Sequence, residues 1–445
     1  MINTNTSILL TDLYMLTMLE AFYMQGMDGI ATYEFFVRGL PQNRGFLVAA
    51  GLEQALQYLE GARFTEEELD WIRRSGRFSA AFADHLAEWR FTGDIDAMPE
   101  GTVCFANEPL MRVTAPISQS QFVETRLINL LHFQTMVASK ATRCVLAADG
   151  KLLVDFGFRR AHGAEAGLLA ARSSYLAGFH GTATVLAGKL FDIPLYGTMA
   201  HAYVQAHDNE ATAFESFARA QPSNVVLLID TYDTEQGAKT VVEVAPRLQG
   251  DGIAIKAVRL DSGDLATQAA KVRKILDDGG LQSTAILCSG DLDEYSIRDL
   301  LQRGAPIDGF GVGTRMDTSA DAPYLECVYK LVEYSGHSRR KRSQGKASWP
   351  GRKQVFRQYG DDRCMQADVI TVEGDTQAGE PLIEPVMRSG RRLQPVEPLA
   401  QARERVARQR NLLPVHLRTL GSHPPYSVRI SPALEELIRR TDERL

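Results

Sequence analysis

Short apolar runs recur along the middle of the chain, and most are separated by segments with the spacing of amphipathic helices. The runs lie roughly 25–40 residues apart, which is the rhythm of strands and helices that alternate in a parallel barrel. Each run ends in polar residues or glycines: KLLVDFG, IPLYGT, NVVLLIDTYD, GIAIKAVRLDSGD, STAILCSGD and PIDGFGVGT. The pattern predicts an irregular, TIM-like β/α barrel over residues 136–335.

The segment before the barrel, residues 1–135, has a mixed pattern that predicts a separate α/β domain. Residues 12–25 have the periodicity of an amphipathic helix, and residues 31–41 alternate as a strand does before they reach a turn. Helical patterns dominate residues 49–90, and residues 101–117 are typical of β-rich connections.

The barrel rhythm stops after Leu331, and a basic, turn-rich loop occupies residues 337–357. Helical patterns return at residues 398–412 and 431–445. We expect residues 336–445 to complete the N-terminal domain and to pack on the domains before them. The expected fold class is therefore α/β, with an N-terminal α/β domain, a barrel domain and a C-terminal extension.

Composition narrows the range of functions. The chain has 445 residues, 44% hydrophobic content and a net charge of −6, which allow a large core and do not favour general nucleic-acid binding. Its five cysteines form no C-x-x-C pair, as expected for a protein of the reducing cytoplasm. The apolar N-terminus has no Lys or Arg before Arg38 and is interrupted by Asp12, so we expect neither a signal peptide nor a membrane span.

Polar side chains follow the ends of the predicted barrel strands. Because ligands of such barrels bind at the carboxyl ends of the strands, we expect these side chains to meet on one face. They are Asp155, Arg159, His201, Asp230, Asp233, Arg259, Asp261, Asp291 and Gly313.

Three motifs at these strand ends suit an aromatic anion and a phosphate. Arg259 and Asp261 alternate in VRLDSGDL and so point to the same side, where they would hold anions and hydroxyl groups, unless they only form an ion pair that closes the barrel. Phe156 and Arg159 in VDFGFRR would stack on and clamp a flat anionic ring, unless the phenylalanine belongs to the core. Gly313 in GFGVGT offers an open turn for phosphate, or a plain tight turn.

Ordered motifs from residue 9 to residue 357 together resemble nicotinate phosphoribosyltransferase, a family of type II phosphoribosyltransferases related to nicotinamide phosphoribosyltransferase. The matching segments are LLTDLYMLTM, YEFFVRGLP, VDFGFRRAHG, IPLYGTMAH, LLIDTYDT, RLDSGDL, FGVGT and GKASWPGRKQVFR. The resemblance implies an enzyme of NAD salvage that joins nicotinate to phosphoribosyl diphosphate (PRPP), gives nicotinate mononucleotide and diphosphate, and couples the reaction to ATP hydrolysis. It also implies a homodimer with active sites completed across the subunit interface.

The resemblance further implies roles for individual residues. Phe156, together with Tyr14 of the partner subunit, would enclose the pyridine ring. Arg159 and Arg259 would face the carboxylate and phosphates, and Arg38 of the partner subunit would help with the anions. Asp261 and Asp291 would hold the ribose, and Gly311, Gly313 and Thr314 would cradle the 5′-phosphate. His201 occupies the phosphohistidine position, and Asp230 at a nearby strand end would orient its imidazole. His207 has no counterpart in the motif and is expected to be a surface residue. Mg²⁺ would accompany diphosphate or ATP without a dedicated protein cage.

Three alternatives remain at the level of sequence. A nicotinamide phosphoribosyltransferase would share most of the motifs. A phosphosugar aldolase or isomerase would use Lys256 as its reactive amine. A nucleic-acid-binding protein would use the basic loop 337–357, although the net acidity of the chain disfavours it.

Overall fold

The computed structural model describes residues 7–421 and 424–444. The helices are α1 (Leu13–Gln25), α2 (Leu52–Gly61), α3 (Glu66–Arg74), α4 (Ala80–Leu86), α5 (Ile117–Phe122), α6 (Glu124–Ala148), α7 (Ala164–Ala177), α8 (Val185–Phe191), α9 (His201–Gln205), α10 (Glu210–Ala220), α11 (Thr234–Gly250), α12 (Leu265–Asp278), α13 (Glu294–Gln302), α14 (Thr314–Asp317), α15 (Leu399–Leu412) and α16 (Pro432–Arg444). Short 3₁₀ turns are formed by Phe158–Arg160 and Val415–Arg418.

The strands are β1 (Ile30–Val37), β2 (Leu47–Val48), β3 (Asp94–Ala97), β4 (Val103–Cys104), β5 (Pro109–Pro116), β6 (Leu152–Asp155), β7 (Gly181–Thr182), β8 (Val226–Leu228), β9 (Ala257–Leu260), β10 (Ala285–Cys288), β11 (Gly309–Val312), β12 (Cys327–Tyr334), β13 (His337–Ser338), β14 (Lys353–Tyr359), β15 (Met365–Val372), β16 (Glu380–Pro381), β17 (Glu384–Arg388), β18 (Arg391–Arg392) and β19 (Ser427–Ile430).

The chain forms two compact units. One consists of the residues up to Ser139 and those from Ala322 onward, and the other is Lys140–Asp321. The second unit ends before residue 335, where the sequence pattern placed the end of the barrel. The reason is that β12 pairs antiparallel with β1, so this strand belongs to a sheet of the first unit.

In the first unit, the large sheet has the strand order β13-β12-β1-β5-β3-β17-β18, and a second sheet has the order β16-β14-β15-β19. The strand predicted at 31–41 is β1, and the helix predicted at 12–25 is α1. The C-terminal helical patterns correspond to α15 and α16. Strands β14, β15 and β19 bring the C-terminal part of the chain into this same unit.

In the second unit, the parallel sheet has the strand order β7-β6-β11-β10-β9-β8. From one edge, the order follows the chain from β8 to β11 and continues with β6 and β7. A bridge between Thr182 and Leu195 extends the sheet beyond β7. The strands are short and apolar, and their buried residues form the core of the unit, as Val226, Leu227 and Leu228 of β8 illustrate. The predicted fold class, α/β with a barrel-like domain, is confirmed.

Side chains that cap the N-termini of helices hold the loops that follow the strands. The Asp233 carboxylate accepts a 2.8 Å hydrogen bond from the Gln236 N–H and caps α11, and Asp293 caps α13 in the same way. Asp233 therefore has a structural role among the polar residues that follow the strands. Within the described residues, every helix is too short or too polar to cross a membrane.

Candidate active site

A cavity of about 460 Å³ lies at the carboxyl ends of the parallel strands of the second unit. Most of the residues proposed from the strand-end motifs line it, as barrel architecture leads us to expect. The predicted residues among its walls are Phe156, Arg159, His201, Arg259, Asp261, Asp291, Gly311, Gly313 and Thr314.

Arg259, on β9, is half-buried and only partly satisfied. Its Nη1 donates a 2.7 Å hydrogen bond to the Thr198 hydroxyl, whereas its Nε is buried and has no partner among the described residues. Burial and then the positive charge of Arg159 lower the pKa of the guanidinium, against the opposing effect of Asp261 and Asp230. An arginine stays protonated under such shifts, so the site holds a desolvated cation with an unused donor.

The ring of Phe156 stands beside this cation, with the Arg259 guanidinium carbon 6.0 Å from the ring centroid. The Phe156 N–H donates a 2.8 Å hydrogen bond to the Val312 carbonyl, which holds the residue against β11. A Cβ on Gly311 would lie 2.4 Å from the ring. The glycine in β11 therefore makes room for the aromatic ring that forms one wall of the cavity.

His201 is the first residue of α9 and is 40% exposed to the cavity side of its unit. Its Nδ1 lies 3.2 Å from the Thr231 hydroxyl, and its Nε2 lies 3.9 Å from an Asp261 oxygen. His207, in contrast, bonds through Nδ1 to the Tyr203 carbonyl at 2.8 Å and packs on the Tyr203 ring. The two histidines thus differ: His201 faces Asp261 and the cavity, whereas His207 bonds to a carbonyl of its own helix.

Asp230 does not orient His201, contrary to the prediction from sequence. Its Oδ2 accepts hydrogen bonds from the Asp261 N–H at 2.8 Å and from the Ser262 hydroxyl at 2.7 Å, while its Oδ1 is buried without a partner among the described residues. The hydroxyl of Thr231 takes the place beside the imidazole. Asp230 instead holds the backbone at Asp261 in position.

Asp261 is held from two sides. Besides the contact of its N–H with Asp230, its Oδ1 accepts a 2.5 Å hydrogen bond from the Ser289 hydroxyl. Its Oδ2 remains directed to His201. A carboxylate fixed in this way, with one oxygen toward the cavity, suits a hydroxyl group or a cation.

The glycine turn after β11 forms another wall. Gly313 precedes α14, and a Cβ there would lie 3.0 Å from the Phe156 carbonyl oxygen. The Thr314 hydroxyl accepts a 3.2 Å hydrogen bond from Arg160 Nη1. Backbone without side chains and a nearby guanidinium suit a phosphate group.

Asp291 occupies the left-handed region with φ of 51° and is exposed. Its Oδ2 accepts a 2.6 Å hydrogen bond from Arg315 Nη2, and this bond lowers the pKa of the carboxyl group below its ordinary value. The carboxylate is therefore ionised at neutral pH, and both of its oxygens act as hydrogen-bond acceptors.

Tyr14 and Arg38 lie in the first unit. Tyr14 is on α1 and is 48% exposed, and burial of its hydroxyl group raises its pKa. Arg38 follows β1, and its Nη2 donates a 3.4 Å hydrogen bond to the Lys346 carbonyl in the basic loop. Their roles toward a partner subunit remain predictions.

Sequence reasoning missed the hydroxyl groups that support the site, which are those of Thr198, Thr231 and Ser289. Each lies inside a quoted segment (IPLYGTMAH, LLIDTYDT or STAILCSGD), so its place in the sequence is a signal. Lys256, the amine of the aldolase alternative, precedes β9 and is exposed. It therefore lies at the amino end of the strand, whereas the cavity lies at the carboxyl ends, so the aldolase alternative loses its reactive group.

The arrangement combines an aromatic wall, a desolvated arginine, two carboxylates, a histidine and an open glycine turn. In a barrel protein, this set of groups suits an aromatic anion together with a phosphorylated sugar.

Comparisons with known proteins agree with that class. Models of the nicotinate phosphoribosyltransferase N-terminal domain, family and C-terminal domain match residues 9–132, 152–351 and 376–438. A nicotinate phosphoribosyltransferase of Mycobacterium tuberculosis is 47% identical over 420 residues, covering 94% of this chain and 90% of the relative. One of Bacillus subtilis is 41% identical over 355 residues, covering 78% and 72%.

A solved structure of human nicotinic acid phosphoribosyltransferase matches with a TM-score of 0.87 and 28% identity, covering 97% of this chain and 99% of that one. The chain belongs to the nicotinate phosphoribosyltransferase family and is an enzyme of the transferase class.

Proposed function

We propose that this enzyme transfers the phosphoribosyl group of PRPP to nicotinate, in NAD salvage, with coupling to ATP hydrolysis through a phosphohistidine at His201. The observation that carries the proposal is the meeting of Phe156, Arg259, Asp261 and the Gly311–Gly313 turn in one cavity. The names of the relatives support the same substrates.

The pyridine ring would stack on Phe156, with Arg159 and Arg259 toward its carboxylate. The unpartnered Nε of Arg259 supplies the donor that such an anion needs. A desolvated guanidinium interacts more strongly with a carboxylate than a solvated one does. This is the physical basis for a preference for nicotinate over the uncharged nicotinamide.

The ribose would lie between Asp261 and Asp291, with its 5′-phosphate at Gly311, Gly313 and Thr314. The pyridine nitrogen attacks the anomeric carbon directly, so the protein needs to position two substrates and exclude water rather than supply a nucleophile. The Ser289 and Asp230 contacts keep Asp261 in place for this purpose.

Mg²⁺ bound with the diphosphate would neutralise the charge of the leaving group. Among the described residues no three His, Cys, Asp or Glu side chains form a metal cluster. The free Oδ1 of Asp230 and the Oδ2 of Asp261 nevertheless fit a cation that arrives with its phosphates, because Mg²⁺ is usually held by one or two protein carboxylates and substrate oxygens.

Phosphorylation of His201 would place negative charge beside this cation-binding region and so favour the complex with Mg²⁺ and PRPP. The imidazole faces Asp261 through Nε2, and Thr231 fixes the other nitrogen. The imidazole is exposed enough for ATP to reach it.

A homodimer would complete the site with Tyr14 and Arg38 of the partner subunit. Support comes from exposed apolar side chains that are near one another in sequence in each unit, because such side chains are often buried at an interface. They are Leu10, Leu13 and Tyr14 near α1, and Val185, Leu186 and Leu190 on α8. Mixing inactive Tyr14→Ala chains with inactive Asp261→Ala chains should restore part of the activity, because some heterodimers would hold one intact site. Full activity of an isolated monomer would contradict the shared site.

The decisive experiment is to incubate the protein with PRPP, Mg²⁺ and either pyridine and to measure mononucleotide by chromatography. We expect kcat/KM for nicotinate to exceed that for nicotinamide by about 10²-fold or more, because a desolvated cation is left unpaired by the amide. Equal or reversed values would favour the nicotinamide alternative, and no product from either would refute the proposal.

A further inference from the structure

Two aspartates lie beneath the loop that carries Phe156. Asp155 ends β6 and is fully buried, and Asp317 ends α14 and is 2% exposed. The Asp317 carboxyl group packs against the backbone of the loop, since a Cβ on Gly157 would lie 2.2 Å from its Cγ.

The two carboxyl groups lie against the same residue, since the Gly157 N–H donates to Asp155 Oδ1 and the Asp317 carboxyl group packs on the Gly157 backbone. Neither oxygen of Asp317 receives a hydrogen bond from an N–H or a hydroxyl group of the described residues, although both are buried. Two ionised carboxylates offer only acceptors, so a hydrogen bond between them needs a proton on one of them.

The surroundings decide which group carries the proton. Asp155 accepts a 2.8 Å hydrogen bond from the Gly157 N–H and a 2.6 Å hydrogen bond from the Thr182 hydroxyl. These donors stabilise its ionised form, whereas Asp317 has no such donor within the described part of the chain. Burial, and then the charge of Asp155, raise the pKa of Asp317 well above its ordinary value.

We propose that Asp317 is a positioning residue that, as a neutral acid, donates a hydrogen bond to Asp155 and thereby holds the Phe156–Gly157 loop against the glycine turn before α14. The loop and the turn already touch, because Gly313 packs on the Phe156 carbonyl and on Gly157. Asp155 links them further to the end of β7 through Thr182. The two aspartates thus fix the wall of the cavity formed by the Phe156 ring relative to the wall formed by the glycine turn before α14.

Infrared spectroscopy tests the proton without any measurement of activity. At about pH 8 an ordinary aspartate is ionised, so the difference between the spectra of the native protein and Asp317→Asn should contain the carbonyl band of one neutral acid. The band should shift in D₂O. Asp278→Asn, which removes an exposed carboxylate paired with Lys274, is the matched control and should show no such band. Absence of the band for Asp317→Asn would overturn the proposal.

Kinetics test the positioning role, which rests on the proposed function. Asp317→Leu keeps the shape of the side chain and removes the donor, so KM for nicotinate should rise about tenfold, as expected for loss of a hydrogen bond to a charged group. Asp317→Asn keeps an N–H donor and should remain within about twofold of the native protein. A purely structural role would lower the concentration of active enzyme and leave KM unchanged.

The outcomes separate the two proposals. If the native protein makes no mononucleotide, the proposed function fails, and the infrared result still decides the state of Asp317. If the native protein is active and Asp317→Leu keeps its KM for nicotinate, or Asp317→Asn is impaired as strongly as Asp317→Leu, the positioning role is wrong. Should Asp317→Leu fail to fold, the asparagine variant and the infrared band decide.

Discussion

Two arginines of this chain stand over phenylalanine rings in similar ways but have opposite surroundings. Arg357, on β14, is fully buried, and its guanidinium carbon lies 5.6 Å from the Phe105 ring centroid. Its Nε and Nη2 donate to Asp368 at 3.1 and 2.6 Å, and its Nη1 donates to Gln409 at 3.2 Å. Every nitrogen of this guanidinium has a partner within its own unit.

Arg259 has the corresponding place over Phe156, at 6.0 Å, but its Nε has no partner among the described residues. Burial alone would lower the pKa of either arginine. For Arg357 burial is the largest single cause, but the charge and hydrogen bonds of Asp368, with the charges of Glu108 and Tyr426, together outweigh it and raise the pKa, whereas for Arg259 burial prevails. The comparison shows that the guanidinium of Arg357 is satisfied within its own unit, whereas that of Arg259 keeps a donor available for a ligand, at least among the described residues.

Removal of Arg259, the arginine with an unsatisfied donor among the described residues, should have the largest effect on catalysis. Arg259→Met should lower kcat/KM for nicotinate by about 10³-fold, the upper end of the effect of losing one donor at a site of developing charge. Its free energy of unfolding should stay the same or rise, because the lost cation was poorly satisfied. Steady-state kinetics and urea unfolding measure the two quantities, and a loss of stability with unchanged kinetics would break the comparison.

Removal of Arg357, the fully hydrogen-bonded arginine, should have the opposite effect, with lower stability and nearly unchanged catalysis. Arg357→Met leaves Asp368 buried beside Tyr426 without its cation, which should cost about 3 kcal/mol of unfolding free energy. The kcat/KM of the folded fraction should stay within about twofold. A kinetic defect that exceeds the folding defect, measured at equal concentrations of folded protein, would assign Arg357 to the site instead.

Most strands of the parallel sheet, and the face on which the site forms, could be predicted from sequence, because each apolar run ends in polar residues. The run IPLYGT is an exception, since it forms a single bridge at Leu195, and the two-residue strand β7 was not predicted. The partners within the site could not be predicted, because they depend on register between strands. Leu228 pairs with Arg259, which puts Asp230 level with Asp261 and within reach of its N–H. Nothing in the run LLIDTYDT indicates that pairing, so the sequence alone does not direct Asp230 to the backbone at Asp261 rather than to His201.

The same reason explains the supporting hydroxyl group of Ser289. Leu260 pairs with Cys288, so the residues that follow them, Asp261 and Ser289, come level at the edge of the sheet. The end of the barrel was likewise set by pairing rather than by local pattern. Strand β12 is apolar enough to continue the barrel rhythm, but it pairs with β1.

The two histidines allow a further contrast between a side chain bonded within its own helix, His207, and one that faces the cavity, His201. His201→Ala should abolish stimulation by ATP, which for coupled sites is typically about 5- to 150-fold, together with the acid-labile phosphate. Slow basal synthesis should remain, since the pyridine nitrogen attacks the sugar. His207→Ala is the control, because its imidazole is bonded to the Tyr203 carbonyl. With γ-labelled ATP, label that persists on His201→Ala would refute the phosphohistidine proposal.

The smallest change in stability is expected for an exposed ion pair, that of Arg315 and Asp291. It is the counterpart of the buried pair formed by Arg357 and Asp368. The hydrogen bond from Arg315 lowers the pKa of Asp291 below its ordinary value. A depressed pKa means that the stabilisation is complete above the unfolded pKa of about 3.9 and is lost as the pH falls through the folded value.

Asp291→Asn is the matched change, because asparagine also tolerates the left-handed backbone with φ of 51° found here. The variant should be less stable than the native protein by under about 1 kcal/mol at pH 7, since solvent screens a pair whose side chains are 45% and 62% exposed. Urea unfolding should show this gap narrowing only below about pH 4, where the native carboxylate takes up its proton. A gap that widens on acidification would show that Asp291 is stabilised in its neutral form, which is the condition proposed for Asp317 and not for an exposed residue paired with an arginine.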